Sequence, residues 1–239
     1  MRQSIDLGDG TTLGYRRGGV PGGPAVVVHH GLPRHDRTVE SWLARAERHG
    51  LDLVVPDRPG HGLSSPARWR SPLDVCAPLD VLAERLDLGR FDVVGVAVGA
   101  PYAYATSVGL ARRTRRLAVL AGIPFPPTPG DGGQRGPDEA ADPSHQPTTS
   151  DGVSPPSGEP LGVDQDRRLV GGNWGFSADQ VRHPVCLWHW REDDEVPFPS
   201  ATASWALLPH AELRVRPGAG DPTDPDAEDE LFDLLTEGR

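Results

Sequence analysis

The run Phe91-Asp92-Val93-Val94 leads directly into Gly95-Val96-Ala97-Val98-Gly99-Ala100-Pro101, and this junction limits the folds open to the chain. The first stretch reads as a buried strand, being aromatic and β-branched. Two glycines four apart let backbone segments approach closely where a strand turns sharply into a helix, and Pro101 suits an early helical position. The central residue of this turn is Ala97. A corner of this kind belongs to an α/β architecture, with helices packed on a mostly parallel sheet.

The rest of the chain supplies that architecture. Ser4–Leu7 and Thr12–Tyr15 flank Gly8-Asp9-Gly10 and predict an N-terminal antiparallel hairpin. Ala25–His29, Leu51–Val55, Leu117–Ile123 and Val185–Trp190 are short apolar runs without alternation, as expected of strands covered on both faces, and Ala211–Val215 reads as the last strand. Helical spacing appears over Thr38–Ala46, Leu79–Leu86, Tyr102–Arg113, Ser200–Leu208 and Glu228–Leu235. From Pro124 to Pro160 the composition turns to Pro, Gly, Asp, Ser and Thr, which cannot bury enough apolar surface to offset ordering entropy. The region 124–183 is therefore expected to be an insert between two strands, flexible over 124–160, within a single domain spanning 1–239.

Charge and composition exclude several roles. The formal charge is -10 and every one of the 24 basic residues is Arg, so no basic face suited to a phosphate backbone is expected, and nucleic acid is not an expected partner. The cluster Arg112-Arg113-Thr114-Arg115-Arg116 reads as a solvated helix end, with an anion site as the alternative. No apolar run approaches the roughly 18 residues of a membrane span, and no signal peptide is legible, so a cytoplasmic location away from membranes is expected. Cys76 and Cys186 are expected to be core thiols, and the histidines are too scattered for a metal site. No cofactor is indicated, and the oligomeric state is not legible.

Four stretches in order resemble the α/β-hydrolase fold superfamily. Gly95-Val96-Ala97-Val98-Gly99 resembles its Gly-x-Ser-x-Gly nucleophile elbow. His29-His30-Gly31-Leu32-Pro33 is similar to its His-Gly-x loop, and Asp57-Arg58-Pro59-Gly60-His61-Gly62-Leu63-Ser64 to its Asp-x-Pro-Gly-x-Gly-x-Ser turn. His189-Trp190-Arg191-Glu192-Asp193-Asp194-Glu195-Val196-Pro197 is similar to the segment carrying the triad acid. The resemblance implies a mostly parallel sheet with flanking helices, an N-terminal hairpin and a reduced, Pro/Gly-rich lid.

The resemblance also implies where a triad would lie, and there the chain departs from it. The nucleophile position holds Ala97 and the acid position Asp193, with Asp194 as a less well-aligned alternative. The histidine position, after Pro217-Gly218-Ala219-Gly220, holds Asp221. A serine attacks only when a histidine takes its proton, so Asp193 is left with nothing to orient. Backbone donors of an oxyanion hole, implied at Leu32 and Val98, survive side-chain loss.

His30 beside this pocket could carry a proton or support its loop by hydrogen bonding, and His61 reads as a turn residue. Asp193 and Asp221 could form a carboxylate pair, or Asp221 could begin a solvated turn. Trp190 stands where the family has glycine; Trp188 and Trp190 should share one face of their strand. The expected function is binding of a small organic molecule, or a non-hydrolytic step such as a cyclisation or elimination. The alternatives are a non-catalytic interaction protein and an ester or amide hydrolase carrying a Ser→Ala substitution.

Overall fold

The computed structural model describes residues 1–31, 36–126, 159–220 and 224–237. Leu32, Asp221 and most of the 124–160 stretch, which the sequence marks as flexible, lie outside these residues. β1 (Arg2–Asp6) and β2 (Thr12–Gly19) form the expected antiparallel hairpin, with Ile5 opposite Leu13. β2 pairs antiparallel with β4 (Asp52–Pro56), and β4 lies parallel to β3 (Ala25–His29). β5 (Phe91–Val96), β6 (Thr114–Leu120), β7 (Val185–Trp190) and β8 (Ala211–Arg216) continue the parallel sheet. The order across the sheet is β1-β2-β4-β3-β5-β6-β7-β8.

The apolar runs lack alternation because both faces of the sheet are covered. Val27, Val93, Val119 and Leu187 enter one core, while Val26, Val28, Val94, Leu120, Trp188 and Trp190 enter the other. Each such side chain contributes about 1.5–3 kcal/mol on full burial. The covering helices are α1 (Asp36–Arg48), α2 (Cys76–Arg85), α3 (Ala100–Gly109), α5 (Phe198–Leu207) and α6 (Pro225–Thr236). Trp188 and Trp190 do share one face, and their indole N–H groups donate to Glu230 and Asp224 of the α6 region at 2.9 and 3.4 Å.

Two expectations change. The helix predicted to run to Arg113 stops at Gly109, and β6 already begins at Thr114, where the Thr114 hydroxyl donates to the Leu110 carbonyl at 3.2 Å. The arginine cluster is therefore not one helix end. Arg113 pairs with Asp80 at 2.5 Å, and Arg115 and Arg116 meet the buried Asp92 at 3.1 and 3.6 Å. The second change is a further helix, α4 (Glu159–Val170), in the part of the 124–183 insert for which the sequence named no element. Among the described residues no helix is long and apolar enough to cross a membrane.

Candidate functional site

The corner after β5 has the strained form that its glycines suggest. Ala97 has φ +47°, a left-handed conformation that costs a non-glycine residue about 1–2 kcal/mol. A Cβ on Gly99 would fall on the His29 carbonyl oxygen, and one on Gly95 would lie 2.8 Å from both Ala100 Cα and Ala103 Cβ. Only glycine lets α3 pack this closely against β3 and β5. The Ala97 carbonyl accepts from the Ile123 amide at 3.3 Å and from the Ala100 amide, which fixes the turn from both sides. Ala97 and Val98 are partly exposed at the crest of the turn.

The loop after β3 lies against this crest. A Cβ on Gly31 would be 3.5 Å from Ala97 Cβ. His30 supports the loop: its Nδ1 lies 2.8 Å from the Gly31 carbonyl oxygen, and its own carbonyl accepts from Arg58 Nη1 at 2.7 Å. His29, fully buried beneath, has Nε2 2.9 Å from the Thr106 hydroxyl. That hydroxyl gives its own hydrogen to the Tyr102 carbonyl at 2.8 Å, so His29 is the donor. His29 Nδ1 meets no hydrogen-bond partner among the described residues, and burial, aided by the Arg58 charge, pushes the ring down to about 3. His29 is thus a neutral structural imidazole.

Asp193 sits across the sheet, beyond β7. Its Oδ1 accepts from the amides of Glu195 and Val196 at 3.0 and 2.8 Å, which closes the turn. Its Oδ2 is 3.7 Å from His189 Nε2, a nitrogen that already hydrogen-bonds the Val196 carbonyl at 2.7 Å. A Cβ on Gly220 would come within 2.5 Å of the Asp193 carboxylate, so the residue preceding Asp221 packs directly on the acid. The two ends of that loop are tied down by Glu192 N to Gly218 O at 3.0 Å and by the bridge from Arg216 to Asp224 at 3.1 Å.

On the β4 side the structure assembles a group whose members the sequence left separate. Asp166 of α4 points into the body and accepts from Arg58 Nε at 3.0 and 2.9 Å, from His61 Nε2 at 2.9 Å and from the Tyr102 hydroxyl at 2.6 Å. All four side chains are buried. Burial alone would raise the Asp166 carboxyl, but the Arg58 charge and the hydrogen bonds from His61 and Tyr102 outweigh it and hold it below the usual carboxylate value. Burial, and then the Asp166 charge, push the Tyr102 phenol far up. Removing one partner of such a buried pair costs about 3–5 kcal/mol.

His61 is therefore more than the turn residue it resembles in sequence. The signal that could have found this group was thin. Arg58 and His61 stand in a motif whose glycines draw the attention, and the buried face of α4 carries Gly162, Asp166 and Leu169, which gives no apolar stripe to read. Chemically, the described residues offer a buried acid engaged with backbone amides and a polar cluster closed by α4. Among the described residues no group of three or more His, Cys, Asp or Glu could hold a metal ion.

Comparison with known proteins agrees with the fold. A family model described as the α/β hydrolase fold matches residues 24–107. A pimeloyl-[acyl-carrier protein] methyl ester esterase of Nitrosomonas europaea is 34% identical over 106 residues, covering 43% of this chain and 38% of the relative. A non-heme chloroperoxidase of Streptomyces lividans is 30% identical over 97 residues, or 40% and 35% of the two chains. The matched part thus spans well under half the length of either relative. Among solved structures, an esterase from Exiguobacterium antarcticum superposes with a TM-score of 0.74 at 16% identity, covering 98% of both chains. A bromoperoxidase from Bacillus anthracis does so with a TM-score of 0.73 at 18% identity, again covering 98% of both.

Proposed function

We propose that this chain, which has the α/β-hydrolase fold, keeps the framework of a triad enzyme but does not use Ser-His-Asp chemistry. In this reading Ala97 stands at the nucleophile position, Asp193 at the acid position and Asp221 at the histidine position. The observation that carries it is Ala97 itself: a methyl group held at φ +47° on a corner whose glycines admit no other packing. A methyl group cannot attack a carbonyl, and Asp221 cannot take a serine proton as imidazole does.

What the corner retains in this reading is binding and electrostatics. The amides of Leu32 and Val98 would donate to an oxygen that gains negative charge, and His30 would hold the Leu32 loop in place through Gly31. Asp193, with Oδ1 engaged by two amides, acts in this reading chiefly to fix its turn. The chain therefore binds a small molecule, or promotes a cyclisation or elimination in which developing oxyanion charge is stabilised. We place it in the cytoplasm, with no nucleic-acid partner. Loss at two triad positions favours natural departure from hydrolysis over a single Ser→Ala substitution.

The test is a panel of activated esters, such as p-nitrophenyl acetate and butyrate, incubated with the purified protein. Release of p-nitrophenolate should not exceed that of a non-enzymatic protein control. Turnover that disappears in Asp193→Asn overturns the reading.

A further inference from the structure

The polar cluster on the β4 side divides by origin into a receptor and an occupant. Arg58 and His61 come from the loop after β4 and Tyr102 from α3, while the carboxylate arrives from α4. The receptor has contacts of its own that do not involve Asp166. Arg58 Nη1 donates to the His30 carbonyl at 2.7 Å, its guanidinium lies 5.0 Å over the Tyr102 ring, and the His61 amide donates to the Arg58 carbonyl at 2.9 Å. The Tyr102 ring packs against Trp69 and His29 at 6.0 and 6.2 Å. α4 reaches this receptor because Gly162 has no side chain: a Cβ there would come within 2.6 Å of His61 Cδ2 and Nε2. The receptor also adjoins the corner, since Arg58 holds the carbonyl of His30 and the next residue, Gly31, lies against Ala97.

We propose that Arg58, His61 and Tyr102 form a carboxylate-binding socket, filled in this structure by Asp166 as a tethered occupant, and that a ligand bearing a carboxylate competes with α4 for it. The chemistry of exchange favours acids. A carboxylate that replaces a carboxylate keeps the Arg58 charge neutralised and keeps an acceptor for the Tyr102 hydroxyl and the His61 N–H. A neutral ester or amide that displaced Asp166 would leave a buried cation uncompensated. The tethered group competes at an effective concentration of about millimolar or higher, so simple carboxylates alone do not lift α4 from the intact chain. The socket rests on the proposed reading of the corner as a small-molecule site, and it names the class of that molecule as an organic acid.

Removing the occupant tests this directly. Asp166→Ala should lower Tm by about 10 °C, as expected for a stranded buried partner. Sodium formate, titrated against sodium chloride at constant ionic strength, should then restore at least half of that loss along a saturating curve. The same titration should leave the wild-type chain unmoved, and the double variant Arg58→Gln/Asp166→Ala should not respond. If Asp166→Ala does not fold, Asp166→Ser, which keeps a hydroxyl near Tyr102, takes its place in the titration. An Asp166 variant that ignores formate, or a response shared equally by the wild type or the Arg58→Gln double variant, overturns the proposal. The readout needs no catalysis, so ester turnover by the wild type would overturn the proposed function and leave the formate result to stand or fall separately.

Discussion

His29 gives the structure a definite sensitivity to acid. In the unfolded chain this imidazole titrates near its ordinary value of 6.5, whereas the folded ring, with Nδ1 facing no acceptor among the described residues and Arg58 nearby, is held down to about 3. Between those values the unfolded chain binds a proton that the folded chain refuses, so stability falls as pH falls through the window and levels off below it. At 1.36 kcal/mol per unit, the full window corresponds to about 5 kcal/mol, of which about 2 kcal/mol is lost between about pH 7 and pH 5. Asp166 does not interfere there. Its carboxyl is held below 3.8, so the stability it contributes is fully present above that value and is lost only at lower pH. The perturbation is His29→Gln, which keeps an N–H donor for Thr106 and removes the titration. Urea unfolding followed through the six tryptophans, at both pH values, gives the two stability changes. Wild type should lose about 2 kcal/mol more than the variant over this interval, equivalent to about 4–8 °C in Tm. Equal losses in the two proteins would refute the assignment of His29 as a buried neutral imidazole.

Two other predictions concern the corner. Gly99→Ala drives a methyl group onto the His29 carbonyl and should destabilise by about 3 kcal/mol, read as a lower urea midpoint. Ala97→Gly relieves the left-handed backbone but adds unfolded-state freedom, so it should be neutral or stabilising by up to about 1 kcal/mol, while β-branched Ala97→Val should cost about 2 kcal/mol or more. Midpoints that fall equally for Gly and Val would show that residue 97 is not held at positive φ.

The corner was legible because its constraint is steric and local. Gly95, Gly99 and Pro101 are each required by close backbone approach or by a helix start, and the sequence displays all three together. The strands were legible for a related reason: a sheet covered on both faces requires unbroken apolar runs, and Ala25–His29 and Val185–Trp190 provide them. The β4-side cluster was not legible. The Arg58/His61 turn, Tyr102 and Asp166 lie far apart along the chain, and buried polar groups carry no periodic signal. α4 was hidden by the same chemistry, because its buried face uses Gly162 for close approach and Asp166 for charge where an ordinary helix would show aliphatic side chains. The arginine cluster misled in the opposite sense, since adjacency in sequence suggested one solvated helix end while Asp80 takes Arg113 and Asp92 takes Arg115 and Arg116.

The central claim is that the corner retains the geometry of a nucleophile elbow without the nucleophile. Fluorophosphonate labelling read by intact mass addresses it, because the probe forms a stable adduct with a serine activated by a neighbouring base. The wild-type chain should carry no adduct, and Ala97→Ser/Asp221→His should carry one, at residue 97. An adduct on the wild-type chain, or a folded double variant that stays unlabelled, would contradict the account.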